Sequence, residues 1–210
     1  MQQAEAIDLI LHLTRGYLAP RCLHVVAELG IADHIGESAR SLIELAEATA
    51  TNPDALARIL GLLATQGVFA ATGNGYEHTA ASRLLQSDHP RSMRSFVRLY
   101  GSDIFWSTLG ALEHSLRAGA PALLKVFPDG LFAYLRANPE VGRVFDEAMT
   151  GKSRADIAAI IQSYDFSGFR TLADIGGGRG HLLQAVLDAN QLAQGILFEL
   201  PQVVANSGAP

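Results

Sequence analysis

Asp174, Gly176, Gly178 and Gly180 alternate through the segment ADIGGGRG, and Glu199 stands 19 residues past Gly180, in FELP. Glycines at such spacing accept positive φ angles and let a ligand approach the backbone closely. A helix starting at His181 would offer N–H groups to a carboxylate or phosphate, and the two acidic side chains supply acceptors. These residue types therefore suit binding of a small, polar, nucleotide-like molecule.

Spacing separates the possible ligands. The dinucleotide fingerprint Gly-x-Gly-x-x-Gly, begun at Gly176, needs glycine where His181 stands, and a frame begun at Gly177 meets Arg179 and then Leu182. The pattern present is Asp-x-Gly-x-Gly-x-Gly. An acidic residue before the glycines repels a pyrophosphate but suits an ammonium, and S-adenosylmethionine carries an ammonium and a sulfonium. Glu199 could then accept hydrogen bonds from both ribose hydroxyls. Two other segments are decoys. Gly151, Lys152 and Ser153 read as the tail of a phosphate-binding P-loop, yet that loop needs glycine at position 146, where Asp146 stands. His181, beside the glycines, reads as a residue tolerated at a helix start rather than a catalytic base.

The elements that position these residues are legible around them. Leu172 to Ile175 reads as a short buried strand, His181 to Ala189 as a helix with Leu182, Leu183, Val186 and Leu187 toward a sheet, and Gly195 to Leu200 as a second strand. This is β-loop-α-β, the opening of a nucleotide-binding sheet, with Asp174 and Glu199 at the carboxyl ends of adjacent strands. Upstream, to about residue 160, apolar residues recur at three- and four-residue spacing and predict helices. Ser41 with Glu44 forms a capping box, and Asn52, Pro53 and Asp54 mark a second helix start. Gly73, Asn74 and Gly75 then divide two short strands. Helix, helix, hairpin is a winged-helix pattern. Its would-be recognition helix, Asn52 to Gly67, carries only Arg58 as a basic residue, which disfavours DNA. Arg91, Arg94 and Arg98 read as a solvated basic face above a core-facing aromatic face of Phe96, Tyr100, Phe105 and Trp106, with a phosphate site as the other reading.

Composition bounds the rest. The 210 residues are 49% hydrophobic and 18% charged with net charge −5, so a buried core is possible and a nucleic-acid binder's basic footprint is missing. No apolar run reaches the roughly 18 residues of a membrane span, and the start, MQQAEAIDLI, lacks a basic segment before an apolar one. Cys22 is the single cysteine, so neither an internal disulfide nor a zinc site of the usual spacing is expected, and a cytoplasmic setting fits.

The sequence resembles, over essentially its whole length, the S-adenosylmethionine-dependent O-methyltransferases that include the plant caffeate, bacterial polyketide and acetylserotonin enzymes. LHVVAELGIADHI, SLIELAEAT, LARILGLLATQGVF and the hairpin ending in TAASRLL match the first domain, and ADIGGGRGHLL and FELP match the second. The resemblance implies a mainly α winged-helix dimerisation and substrate-lid domain over 1–160, followed over 161–210 by the β-α-β start of an α/β Rossmann-like domain. It implies S-adenosylmethionine as cofactor, no metal, a homodimer, and a small phenolic or other aromatic hydroxyl as acceptor. Within the loop from Asp174 to Gly180, Gly176 and Gly178 would line the methionine part. Glu199 would hold the ribose, where the family usually has Asp. Phe145 and Met149 of VFDEAMTGKS would face substrate and cofactor, with a packed aromatic and a core Met as the rival reading. In the family a His on a later helix is the general base, so that group is expected beyond Pro210. Two parallel strands leave an exposed edge and an uncovered face, so the chain reads as truncated, with roughly 100 further residues expected of an ordinary α/β domain. Two alternatives stand beside an O-methyltransferase: a noncatalytic dimerisation partner or remnant of one, and a winged-helix DNA-binding regulator.

Overall fold

The computed structural model describes residues 3–204, and the NSGAP terminus lies outside them from Asn206 on. The chain divides into two compact units, one running to Tyr134 and one from Leu135.

The first unit holds α1 (Gln3–Arg15), α2 (Leu18–Glu28), a 3-10 turn (Ile31–His34), α3 (Leu42–Ala48), α4 (Pro53–Thr65), β1 (Phe69–Thr72), β2 (Gly75–His78) and α5 (Ala80–Arg83). It continues with α6 (Arg94–Tyr100), α7 (Asp103–Gly110), α8 (Leu112–Ala118) and α9 (Ala122–Val126), and α10 (Gly130–Ala137) lies at the boundary. Both expected helix starts form. Ser41 Oγ accepts from the Glu44 N–H, and Glu44 Oε2 accepts from the Ser41 N–H at 3.1 Å. Asn52 Oδ1 accepts from Ala55 N–H at 3.0 Å, with Pro53 in the first turn. Losing such a cap costs about 1 kcal/mol. Leu56, Leu60 and Leu63 put one face of α4 into a core shared with Val26, Ile31, Leu45 and Phe69.

β1 and β2 pair antiparallel around the two-residue turn Gly73–Asn74. Arg40 bridges to Tyr76 from the other side, with backbone N–H···O distances of 3.0 and 2.9 Å. This approach requires glycine at 75, since a Cβ there would lie 2.0 Å from the Arg40 carbonyl oxygen, at φ 140°. The winged-helix order is thus present. The basic stretch differs from expectation. Arg94 donates to Asp33 Oδ2 at 3.0 Å and to the Ala27 carbonyl at 2.8 Å, and Arg98 grips Glu28 at 2.8 and 2.9 Å. These guanidiniums tie α6 to the carboxyl end of α2, where cations are favoured, instead of forming a solvated face. The aromatic side is not core either: Leu99 is the buried residue of α6, while Tyr100, half exposed, stacks on Phe105 and meets Phe96 at a tilted angle.

The second unit contains α11 (Pro139–Ser163), β3 (Thr171–Ile175), α12 (His181–Ala189), β4 (Gln194–Phe198) and α13 (Pro201–Val204). β3 and β4 are parallel, in register from Thr171 beside Gln194 to Ile175 beside Phe198, and α12 is the crossover that parallel pairing requires. Strand alternation puts Leu172, Asp174, Gly195 and Leu197 on one face. That face meets α12, and a Cβ on Gly195 would lie 2.7 Å from Leu187. The opposite face leaves Ile175, Ile196 and Phe198 70%, 53% and 66% exposed. α11 packs against α12, and Val144 and Ala148 of α11 and Leu183 and Val186 of α12 are buried, Leu183 lying against Gly195 of β4. Because α11 packs with α12, the compact unit begins well before residue 160, where helical periodicity alone gives way to strand. Gly151, Lys152 and Ser153 sit inside α11, where Ser153 Oγ donates to the Met149 carbonyl at 2.8 Å, so no P-loop forms. Among the described residues no helix is long and apolar enough to cross a membrane.

Candidate cofactor site

β3 delivers Asp174 to the carboxyl edge of the strand pair, and the chain then turns through glycines with φ of 74° at Gly176 and 58° at Gly178. No atom outside the neighbouring residues comes within 4 Å of a Cβ built on either one, so space lies open above both. Gly180, at φ 75°, caps α12. The Gly176 N–H donates to the Phe198 carbonyl at 2.8 Å, which sets Glu199 beside the start of the turn. Glu199, the residue after β4, lies near enough to Asp174 for its charge to act on that carboxyl.

Burial raises the pKa of the Asp174 carboxyl above the ordinary aspartate range, and the charge on Glu199 raises it further. Among the described residues neither carboxylate forms an ion pair; the Glu199 carboxylate accepts from the next backbone N–H, that of Leu200. Two acidic groups flanking an open glycine turn at the start of a helix fit a molecule with ribose hydroxyls and an ammonium. All five residues expected in this site, Asp174, Gly176, Gly178, Gly180 and Glu199, meet at one edge of one unit.

Phe145 and Met149 lie one turn apart on α11, both half-buried, while the fully buried positions beside them are Val144 and Ala148. Between them, Asp146 Oδ2 lies 4.0 Å from Arg179 Nη2 of the glycine loop. Burial raises the Asp146 pKa, Arg179 opposes the rise, and Glu199 and Glu147 add to it. Sequence reasoning gave neither Arg179 nor Asp146 a role in the site. A signal was available: Arg179 is the one residue with a side chain among positions 176 to 180.

A winged-helix unit joined to a β-α-β unit with an acidic glycine turn defines a two-domain methyltransferase architecture, and comparison with known proteins agrees. Residues 11–88 match the O-methyltransferase dimerisation domain and residues 106–209 the O-methyltransferase domain. The chain belongs to this O-methyltransferase family. It is 37% identical over 202 residues to a phenazine O-methyltransferase of Lysobacter antibioticus, a match covering 96% of this chain and 59% of that protein. Among solved structures it resembles LaPhzM with a TM-score of 0.91 at 36% identity, covering 97% of this chain and 61% of that one. It also resembles CalO1, a methyltransferase of calicheamicin biosynthesis in its SAH-bound form, with a TM-score of 0.84 at 32% identity, covering 100% and 64%. The chain therefore spans about three-fifths of the length of these relatives.

Proposed function

We propose that this chain carries the cofactor loop of an S-adenosylmethionine-dependent O-methyltransferase acting on a hydroxyl of a small aromatic molecule. The observation that carries the reading is the pair Asp174 and Glu199 at adjacent strand ends, flanking a turn that is open above Gly176 and Gly178. Bound there, S-adenosylmethionine supplies a methyl group on a sulfonium. The Glu199 carboxylate accepts from the ribose hydroxyls, the Gly176 and Gly178 backbone lies against the methionine part, and Asp174 complements the ammonium. Phe145 and Met149, on α11, cover the cofactor and the acceptor. In-line attack needs the acceptor oxygen held opposite the leaving sulfur and deprotonated as it attacks. The aromatic acceptor is supported by the relative whose name is a phenazine O-methyltransferase.

The dimerisation-domain match supports a homodimer, and α1 supplies an apolar surface for it. Ile7, Ile10 and Leu13 are 54%, 62% and 64% exposed, with Leu9 and Leu11 also exposed. Nucleic acid is a poor partner, because Arg58 is the lone basic side chain of α4. The single Cys22 favours a reducing, cytoplasmic setting. A second reading, a noncatalytic dimerisation partner, is favoured by the uncovered Ile175, Ile196 and Phe198 face. Titration with S-adenosylhomocysteine beside a methyl-transfer assay on a panel of phenols separates the two. Turnover supports the enzyme, binding without turnover supports a cofactor site that does not by itself catalyse transfer to these phenols, and no binding with an intact dimer supports the noncatalytic partner.

A further inference from the structure

We propose that Arg179 is a positioning residue that clasps the glycine loop to Asp146 on α11, fixing the loop backbone against the helix that bears Phe145 and Met149. The inference rests on the reading of this loop as the S-adenosylmethionine site. Positions 176, 177, 178 and 180 are all glycine, so between Ile175 and His181 only Arg179 has a side chain with which the loop can be held. A run of glycines loses more conformational freedom on ordering than any other sequence, and a loop that must present its backbone to a ligand needs an anchor.

The anchor has the right chemistry. Arg179 Nη2 stands 4.0 Å from Asp146 Oδ2, and both side chains are about three-quarters buried, at 26% and 23% exposure. A carboxylate withdrawn from water needs a counter-charge, and Arg179 is the cation that opposes the effect of burial on Asp146. Glu147, the next residue, pairs instead with Arg143, and Glu199 reaches Asp146 only as a like charge. Asp146 is therefore committed to Arg179, and the contact joins the loop to α11. Arg179 Nε is buried with no hydrogen-bond partner among the described residues, so the contact to Asp146 is an ion pair rather than a hydrogen bond.

The test compares Arg179→Gln, Asp146→Asn, the double variant and Arg179→Lys. Two readouts are used: hydrogen–deuterium exchange of the 176–181 backbone amides in the free protein, and S-adenosylhomocysteine affinity. Each single variant is expected to speed loop exchange severalfold and to weaken affinity roughly tenfold, the scale of coupling between contacting residues. The double variant is expected to be no worse than the worse single, and the Lys variant to recover part of both effects. Loop exchange unchanged in the single variants, or effects that multiply in the double, would overturn the clasp. If the unsubstituted protein binds no S-adenosylhomocysteine, the cofactor reading fails, and the exchange comparison still decides whether Arg179 and Asp146 hold the loop.

Discussion

Asp174, the penultimate residue of β3, and Glu199, one residue past the end of the neighbouring parallel strand β4, are interacting carboxyls: burial raises the Asp174 pKa first, and the like charge of Glu199 raises it further. An acid whose pKa is raised on folding binds its proton more tightly in the folded state. Stability is therefore lost as pH rises from the ordinary aspartate value, about 3.9, through the folded value, and at neutral pH ionised Asp174 destabilises the unit. Asp174→Asn should leave the melting temperature at pH 7 unchanged or higher while weakening S-adenosylhomocysteine binding at least tenfold. Melting curves and calorimetry on one preparation check the two signs. A lower melting temperature with unchanged affinity would mean that Asp174 is structural.

Two adjacent glycines separate ligand space from loop geometry. At Gly178 an added side chain meets nothing nearby, but φ is 58°, a conformation costing an L residue roughly 1–2 kcal/mol. Gly178→Val should therefore fold with a modest stability loss and abolish binding by filling the space. A Cβ on Gly177 would lie 2.4 Å from the Asp174 carboxyl, at a φ outside the left-handed region. Gly177→Ala should displace Asp174 and weaken binding without left-handed strain. Equal affinity for both variants and the unsubstituted protein, by calorimetry, would move the site elsewhere.

His24 makes the first unit sensitive to mild acid. Burial first, and then the neighbouring Arg21, lower its pKa, against opposing effects of Glu28 and Asp103. The unfolded chain therefore takes up a proton that the folded one resists, and stability falls as pH drops below about 6.5 toward the folded value. Glu28 acts in a different window. Its pKa is lowered first by the Arg98 hydrogen bond, so its contribution is present above the ordinary glutamate value of about 4.3 and lost as pH falls through the lower, folded value. Melting temperature should decline between pH 7 and pH 5, and His24→Gln should flatten that decline. An equal slope in both proteins would assign it to other groups.

The apolar exposure of α1 predicts how the assembly can be broken. If the proposed dimer covers α1, burial of each of these side chains would stabilise association by about 2 kcal/mol, and Ile10→Glu with Leu13→Glu puts two charges on that surface. Light scattering at micromolar concentration should give a dimer mass for the unsubstituted protein and a monomer mass for the variant. A monomer in both cases would remove dimerisation from the reading.

Local chemistry explains what the sequence disclosed. The Ser41–Glu44 capping box, the Asn52 cap and the Gly73–Asn74 turn are each settled within four residues, and each forms as read. Asp174, the glycines and Glu199 were legible because strand ends and a helix start fix them together. What escaped depends on contacts between distant segments. Arg94 and Arg98 look like a solvated face until Ala27 and Glu28 at the end of α2 and Asp33 in the 3-10 turn after it, all more than 60 residues away in sequence, supply their partners. Asp146 figured only as the residue that spoils a P-loop, because periodicity cannot tell that α11 will lie against α12 and meet Arg179. For the same reason the join between the units, after Tyr134, is not marked by any change in helical pattern.

The most direct measurement of whether this chain carries an S-adenosylmethionine site is calorimetric titration of the folded protein with S-adenosylhomocysteine, with Gly178→Val as the paired control. Saturable binding at one site per chain, abolished by the valine, is the expected result. A protein that melts cooperatively yet takes up no ligand, or a valine variant that binds as tightly as its parent, would contradict it.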